Sequence, residues 1–295
     1  MTRLSILVPT YNDRCLQLVK DLHQQASAVA GLSFEIIVGD DASTDADVVR
    51  ENEQVASLPH TTFFRAPHNE GRSAIRNRLG RMAKGQWLLF IDSDMTMVRQ
   101  NFIASYLAQT TTGGHVFYGG YAVVGDANEQ RHNLRFRYEK FCEEKHAVAQ
   151  RKKNPFKDFH TSNFLILKEL YIVRPLDERF RFYGYEDVFY GRQLQEVGET
   201  ITHIDNPLAF ATFEDNAHFV EKTEEATRTL LHFSDDLAGF SPLLAYKERL
   251  RALHLDGLYK KYFSLRRCSW RKKLCSEKPS LLLFSLYKLG LVFDD

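Results

Sequence analysis

Asp92 and Asp94 stand one residue apart, directly after the apolar run Trp87–Ile91 (WLLFI). In extended backbone, residues i and i+2 point to one side, so two carboxylates would face one point at a strand end. Hard divalent cations such as Mg2+ or Mn2+ take oxygen ligands of this kind, usually one or two carboxylates completed by substrate phosphates. An ion held there would neutralise charge developing on a leaving diphosphate. The bland alternative is a polar turn with helix-capping aspartates.

Three further groups carry chemistry. Asp40 and Asp41 follow the run Phe34–Val38 and could accept hydrogen bonds from a nucleotide base or ribose; equally, they could form an Asx turn before a helix capped at Ser43 or Thr44. Arg72, Arg76 and Arg78 share the helical stretch after Thr61–Arg65. Arg76 is the one suited to a diphosphate or to the acidic loop, since guanidinium offers donors in a rigid fork, while Arg78 reads as a solvated helix face. Glu186 and Asp187 follow the aromatic run Phe180–Tyr185 and open a helix. Acidic residues favour a first helical turn without any function; alternatively one is a general base that accepts the proton of an attacking hydroxyl, with the aromatic run as a platform for a sugar ring.

These groups need a scaffold that brings them together. Four short apolar runs, Leu4–Val8, Phe34–Val38, Thr61–Arg65 and Trp87–Ile91, alternate with helical stretches at 16–29, 45–56 and 71–83. That alternation predicts βαβ units and a mostly parallel sheet. Ligands of such sheets sit beyond the carboxyl ends of the strands, and Pro9-Thr10-Tyr11-Asn12, Asp40–Asp45, Asn69–Asn77 and Asp92-Ser93-Asp94 all fall at that edge. Further strands are expected at His115–Tyr118, Tyr121–Val124, Asn163–Leu167 and Thr200–Ile204, with helices at 133–150, 186–197 and 216–237.

Taken together, these stretches resemble the GT-A fold glycosyltransferases of family 2, which are inverting, nucleotide-sugar-dependent enzymes. SILVPTYN (Ser5–Asn12), VGDDASTD (Val38–Asp45), NEGRSAIRN (Asn69–Asn77), LLFIDSDM (Leu88–Met95) and GYEDVFYGRQL (Gly184–Leu194) carry the resemblance, which covers roughly residues 3 to 215. It implies an α/β, Rossmann-like GT-A domain over residues 1–239. It implies a donor nucleotide, UDP favoured, held by Pro9, Thr10, Tyr11, Asp40, Asp41, Arg76 and Ser93, and Mn2+ or Mg2+ held by Asp92 and Asp94. Asp187, with Glu186 beside it, would be the catalytic base. The sequence departs from the family pattern at Ala42, where glycine is commoner and backbone geometry is therefore expected to differ. It also lacks a histidine in Asn206–Phe210, where a third metal ligand is expected; His203 and His218 are the nearest histidines and read as structural or surface.

The net charge of +1 gives no global pull toward nucleic acid, but it conceals an asymmetry. Between Tyr246 and Lys278 there are 11 Lys/Arg against 3 Asp/Glu, and these alternate with Leu, Tyr, Phe and Trp. Residues 240–295 read as a basic helical extension that either lies on an anionic membrane surface or packs on the catalytic body. Four cysteines without metal-ligand spacing, and an N-terminal apolar run too short for a signal peptide, are read as a cytoplasmic protein, peripheral at most. The acceptor expected is a glycan or lipid-linked glycan in cell-surface synthesis. A dehydrogenase would show GxGxxG after the first strand, where this chain has PTYND. A sugar-phosphate nucleotidyltransferase would show a Gly-rich basic loop there. A non-catalytic binder on the same fold is the remaining alternative.

Overall fold

The computed structural model describes residues 3–294. β1 (Arg3–Thr10), β2 (Ser33–Asp40), β3 (Thr61–Arg65) and β4 (Trp87–Ile91) alternate with helices α1 (Leu16–Ala28), α2 (Ala46–Glu53) and α3 (Arg72–Met82). β5 (Met95–Thr96), α4 (Phe102–Gln109), β6 (Val116–Tyr118), β7 (Tyr121–Val123), α5 (Leu134–Glu143) and the short α6 (Val148–Arg151) follow. Next come β8 (Asn163–Leu167), α7 (Lys168–Val173), α8 (Glu186–Glu196), β9 (Ile201–His203), β10 (Leu208–Phe210) and α9 (Asn216–His232). The chain ends in α10 (Pro242–Ala252), α11 (Asp256–Leu274) and α12 (Leu281–Leu291).

The main sheet has seven strands in the order β3-β2-β1-β4-β8-β6-β9. All its pairings are parallel except those of β8 with β4 and β6. β8 alone therefore runs backwards, and its start, not its end, meets the carboxyl rim. A small sheet, β5-β10-β7, flanks the main one.

Near-continuous apolar strands are what a sheet covered on both faces requires. Alternate residues divide between the two faces. Ile6, Val8, Ile36, Val38, Leu89 and Ile91 join the core that holds Leu18 and Leu22 of α1 and Phe102 and Tyr106 of α4. Leu7, Ile37, Leu88 and Phe90 face the other core, with Leu79 of α3, Tyr171 of α7 and Tyr190 of α8.

Element ends differ locally from expectation. The cap of α2 is Asp45, whose Oδ1 accepts from the N–H groups of Asp47 and Val48, rather than Ser43 or Thr44. The helix expected over 133–150 breaks into α5, a 3-10 turn at Glu144–His146 and α6.

Residues 242–293 pack on the body by apolar contact. Phe263, Trp270 and Leu274 of α11 and Phe284 and Tyr287 of α12 share a cluster with Leu134 of α5 and Phe219 and Val220 of α9. Gly290 of α12 lies so close to Phe263 that an added Cβ would stand 2.0 Å from the ring. The opposite side of α11 is solvent-facing: Leu258, Tyr262 and Leu265 are exposed, with Lys261, Arg266, Lys272 and Lys273 exposed around them. Among the described residues, no helix is long and apolar enough to cross a membrane.

Candidate active site

The carboxyl ends of β1 and β4, the start of α3 and the start of α9 surround a cleft of about 580 Å³. Pro9, Thr10, Tyr11, Asp41, Arg76, Asp92, Ser93 and Asp94 all line it. Local backbone explains how several of them arrive there. Gly71 caps α3 at φ +92°, and an added Cβ would meet the Arg181 carbonyl at 3.1 Å. Both Asp41 oxygens accept from this turn, from the N–H of Glu70 at 2.7 Å and of Gly71 at 2.9 Å. Asp41 thereby ties the end of β2 to the N-terminus of α3. Ala42 holds φ +61°, the left-handed conformation that glycine would adopt without a steric cost.

Asp40 takes a different place from the one expected. It is 1% exposed and does not line the cleft. Its carboxylate accepts from Ser43 and pairs with Arg65 at 3.1 Å. It serves the turn after β2, because the side-chain alternation of the strand that turns Asp41 toward the cleft turns Asp40 away.

The two DSD carboxylates are each met by an arginine. Arg76, 3% exposed, pairs with Asp92, and Arg135 of α5 spans Asp94 at 3.4 Å and Glu214. Burial, followed by the adjacent Asp92 charge, raises the Asp94 carboxyl above its ordinary value despite Arg135. Asp13 is raised likewise, by burial and then by Asp94. Asp13, Asp92 and Asp94 thus bring carboxyl oxygens, only partly offset by Arg76 and Arg135, to one side of the cleft, and oxygen is the donor that hard divalent cations take. Among the described residues, no group of three or more His, Cys, Asp or Glu side chains is placed to hold a metal ion, so an ion on the Asp92 and Asp94 carboxylates would need substrate or water oxygens. His218, at the start of α9, lines the same cleft. His203 is 2% exposed and satisfied by Pro155 O and Arg151, which makes it a structural histidine.

Glu186 and Asp187 reach the cleft's edge indirectly. Gly184 (φ +95°) and Tyr185 (φ +68°) are both left-handed, a strained entry into α8 for a tyrosine. Glu186 is 5% exposed and approaches Arg72 of α3 at 3.5 Å; its Oε2 is buried without a partner. Burial raises its carboxyl, with Arg72 opposing. Arg72 also feels Asp92 and Asp94, so this one guanidinium stands between the ED and DSD pairs. Neither Glu186 nor Asp187 lines the cleft itself. Asp187 faces His160, whose Nδ1 is 2.7 Å from its Oδ2. Of the aromatic run, Tyr183 lines the cleft beneath Arg72 (4.6 Å to the ring centroid), whereas Phe180 is buried against Phe233. Arg78 pairs with Glu70 and lies over Phe64, so it is more than a solvated charge.

A profile described as Glycosyl transferase family 2 matches residues 5–173. This chain belongs to that family. An uncharacterised glycosyltransferase of Haemophilus influenzae is 42% identical over 93 residues, 31% of this chain and 29% of that protein. The putative colanic acid biosynthesis glycosyl transferase WcaA of Escherichia coli is 25% identical over 135 residues, 44% of this chain and 47% of its own length. The chain thus spans less than half of these curated relatives. Among solved structures, the mannosyltransferase PcManGT of Pyrobaculum calidifontis, in complex with GDP-Man and Mn2+, aligns at TM-score 0.56 and 18% identity over 98% of this chain and 79% of that one. S. aureus TarS 1-349 with UDP-GlcNAc aligns at 0.56 and 16% identity over 97% and 78%. The fold of the family 2 chain is the mostly parallel α/β GT-A arrangement.

Sequence reasoning missed Asp13, Arg135 and Lys222, which line the cleft, and His160 beside Asp187. Asp13 directly follows PTYN and carried a signal. The others come from α5, α9 and loops whose approach to the rim no local pattern reports.

Proposed function

We propose that this family 2 chain transfers a sugar, with inversion, from a nucleotide-diphosphate donor, with UDP the favoured nucleotide, onto an acceptor hydroxyl. The carrying observation is the convergence of Asp41, Arg76, Asp92 and Asp94 on one cleft, with Arg72 linking it to the ED pair. In this reading Pro9, Thr10, Tyr11 and Asp41 hold the nucleoside and Arg76 and Ser93 the diphosphate side. Asp92 and Asp94 would hold Mn2+ or Mg2+, which when bound neutralises charge on the leaving diphosphate. The acceptor oxygen bonds to the anomeric carbon, the bond from that carbon to the diphosphate oxygen breaks with its electron pair, and the acceptor proton passes to Asp187. Complexes of similar folds with UDP-GlcNAc and with GDP-Man and Mn2+ support a nucleotide-sugar donor and a divalent ion.

Relatives named for colanic acid and teichuronic acid biosynthesis support a cell-surface glycan as acceptor, free or lipid-linked. In this proposal residues 1–239 form the catalytic unit. Residues 240–295 form an extension whose outward α11 face rests on an anionic membrane at the cytoplasmic side, each basic residue there contributing about 1 kcal/mol.

A thermal-shift panel of nucleotide-sugars with and without Mn2+ tests the donor reading, since a ligand that binds only the folded chain raises Tm. A metal-dependent rise with a UDP-sugar, and transfer abolished by EDTA, are expected. Binding without any turnover would instead favour the non-catalytic alternative. Flotation of the full chain with anionic vesicles, lost in a Leu258→Ser, Tyr262→Ser, Leu265→Ser variant, tests the membrane face; equal flotation of both would refute it.

A further inference from the structure

Asp187 has a neighbour that the donor cleft does not use. His160 lies just before β8, the one reversed strand, and that reversal brings it to the carboxyl rim. The same segment is anchored there by the Asp92 N–H, which donates to the Ser162 carbonyl at 3.0 Å. His160 Nδ1 is 2.7 Å from Asp187 Oδ2, and Asp187 Oδ1 accepts from the N–H of Val188 at 2.7 Å. Each oxygen of the carboxylate thus has a fixed partner. The imidazole is itself held by rings: His146 at 4.9 Å between centroids, and Tyr118 and Tyr121 each at 6.0 Å. His146 is in turn stacked on Tyr121 at 4.5 Å and bonded to the Tyr118 hydroxyl at 2.9 Å.

We propose that His160 is a positioning residue for Asp187, fixing which carboxylate lone pairs face the acceptor hydroxyl. This rests on the reading of Asp187 as the base. A carboxylate with both oxygens directed by hydrogen bonds cannot rotate freely, and general-base efficiency depends first on geometry and then on proton affinity. The electrostatics agree. Burial alone would raise Asp187, but the His160 hydrogen bond and charge, with the Val188 N–H and Arg72 adding to them, leave the carboxyl below its ordinary value. Burial alone would lower His160, and the bond to Asp187 reverses this. The other groups facing the imidazole are Glu139 of α5 and Asp158, which favour its charged form, and His146 and His203, whose own protonation it opposes.

Two measurements on the full-length chain test the pairing and its use. The first is a 15N-histidine NMR titration, with the His160 resonances assigned by their loss in His160→Gln. The His160 midpoint should lie above the ordinary value of about 6.5 and fall in Asp187→Asn; a midpoint unmoved by Asp187→Asn overturns the pairing without any substrate. The second uses the donor selected by the thermal-shift panel. His160→Ala should lower kcat about tenfold or more, leave donor KM unchanged, and move the acid limb of the kcat profile upward as burial of Asp187 loses its largest opposing interaction. His160→Gln, which retains an N–H donor, should recover part of the loss. If Asp187→Asn is inactive while His160→Ala keeps normal kcat and pH profile, this proposal fails and the base assignment stands. If Asp187→Asn turns over normally, the base assignment fails and takes this proposal with it.

Discussion

Individual residues at the rim differ in what they can tolerate. Asp92 and Asp94 already have arginine partners, so removing Asp92 does more than delete a proposed ligand: it leaves Arg76 without its counter-charge, whereas Arg135 is shared between Asp94 and Glu214. Asp92→Ala should therefore weaken Mn2+-dependent donor binding and also lower stability, because Arg76 is buried and an uncompensated buried charge is costly. Calorimetry with Mn2+ and donor, alongside Tm, separates the two effects. Asp94→Ala should cost less stability, since Arg135 keeps Glu214. Ala42 offers a contrasting case. Its left-handed φ costs about 1 kcal/mol, so Ala42→Gly should leave stability equal or up to about 1 kcal/mol higher, after the entropy gained by the unfolded chain is subtracted. Urea unfolding would read this directly.

At the scale of elements, the first four strands and three helices were legible because each residue run carries its own period. Ile6, Val8, Ile36 and Val38 take one face and Leu7 and Ile37 the other, as a twice-covered strand demands. Asp41, Asp92 and Asp94 were legible for the same reason, being strand-end residues of parallel β-strands. Asp40 was not, since one step along a strand reverses the direction of a side chain. His160 was hidden by topology: ligand rules for parallel sheets look past strand ends, and β8 presents its beginning. Arg135 was hidden by distance, because the packing of α5 against β7, α9 and α12 carries it to Asp94. A prediction at this scale concerns the α11–α12 contact. Gly290→Ala would drive a methyl into the Phe263 ring and should cost about 1–3 kcal/mol by overpacking, visible as a lower Tm.

For the molecule as a whole, the basic C-terminal helices cannot be treated as a detachable tail. Leu134, Phe219 and Val220 would be uncovered by a cut at Gly239, so that truncation should aggregate and bind hydrophobic dyes whatever the membrane does. Surface variants on α11 are the cleaner probe. Lys288 of α12 reports on the same interface. Burial pushes its ammonium down to about 8 from 10.5, while its Nζ reaches the Tyr138 hydroxyl at 3.0 Å. Between those two values the unfolded chain binds the proton more readily than the folded one, so this residue makes stability rise with pH from about 8 to 10.5. Lys288→Met should lack that rise, and its Tm difference from the parent chain should shrink or reverse across the interval.

Leu134, seated beneath α11 and α12, is the immediate neighbour of Arg135. A ribosome that has released only as far as α9 has already made every acidic residue of the rim, yet the helix that steadies Arg135 still lacks its roof. Order at the rim should then arrive late in synthesis: nascent chains stalled before residue 281 should be cut by protease within 134–143, and chains stalled after α12 has emerged should resist.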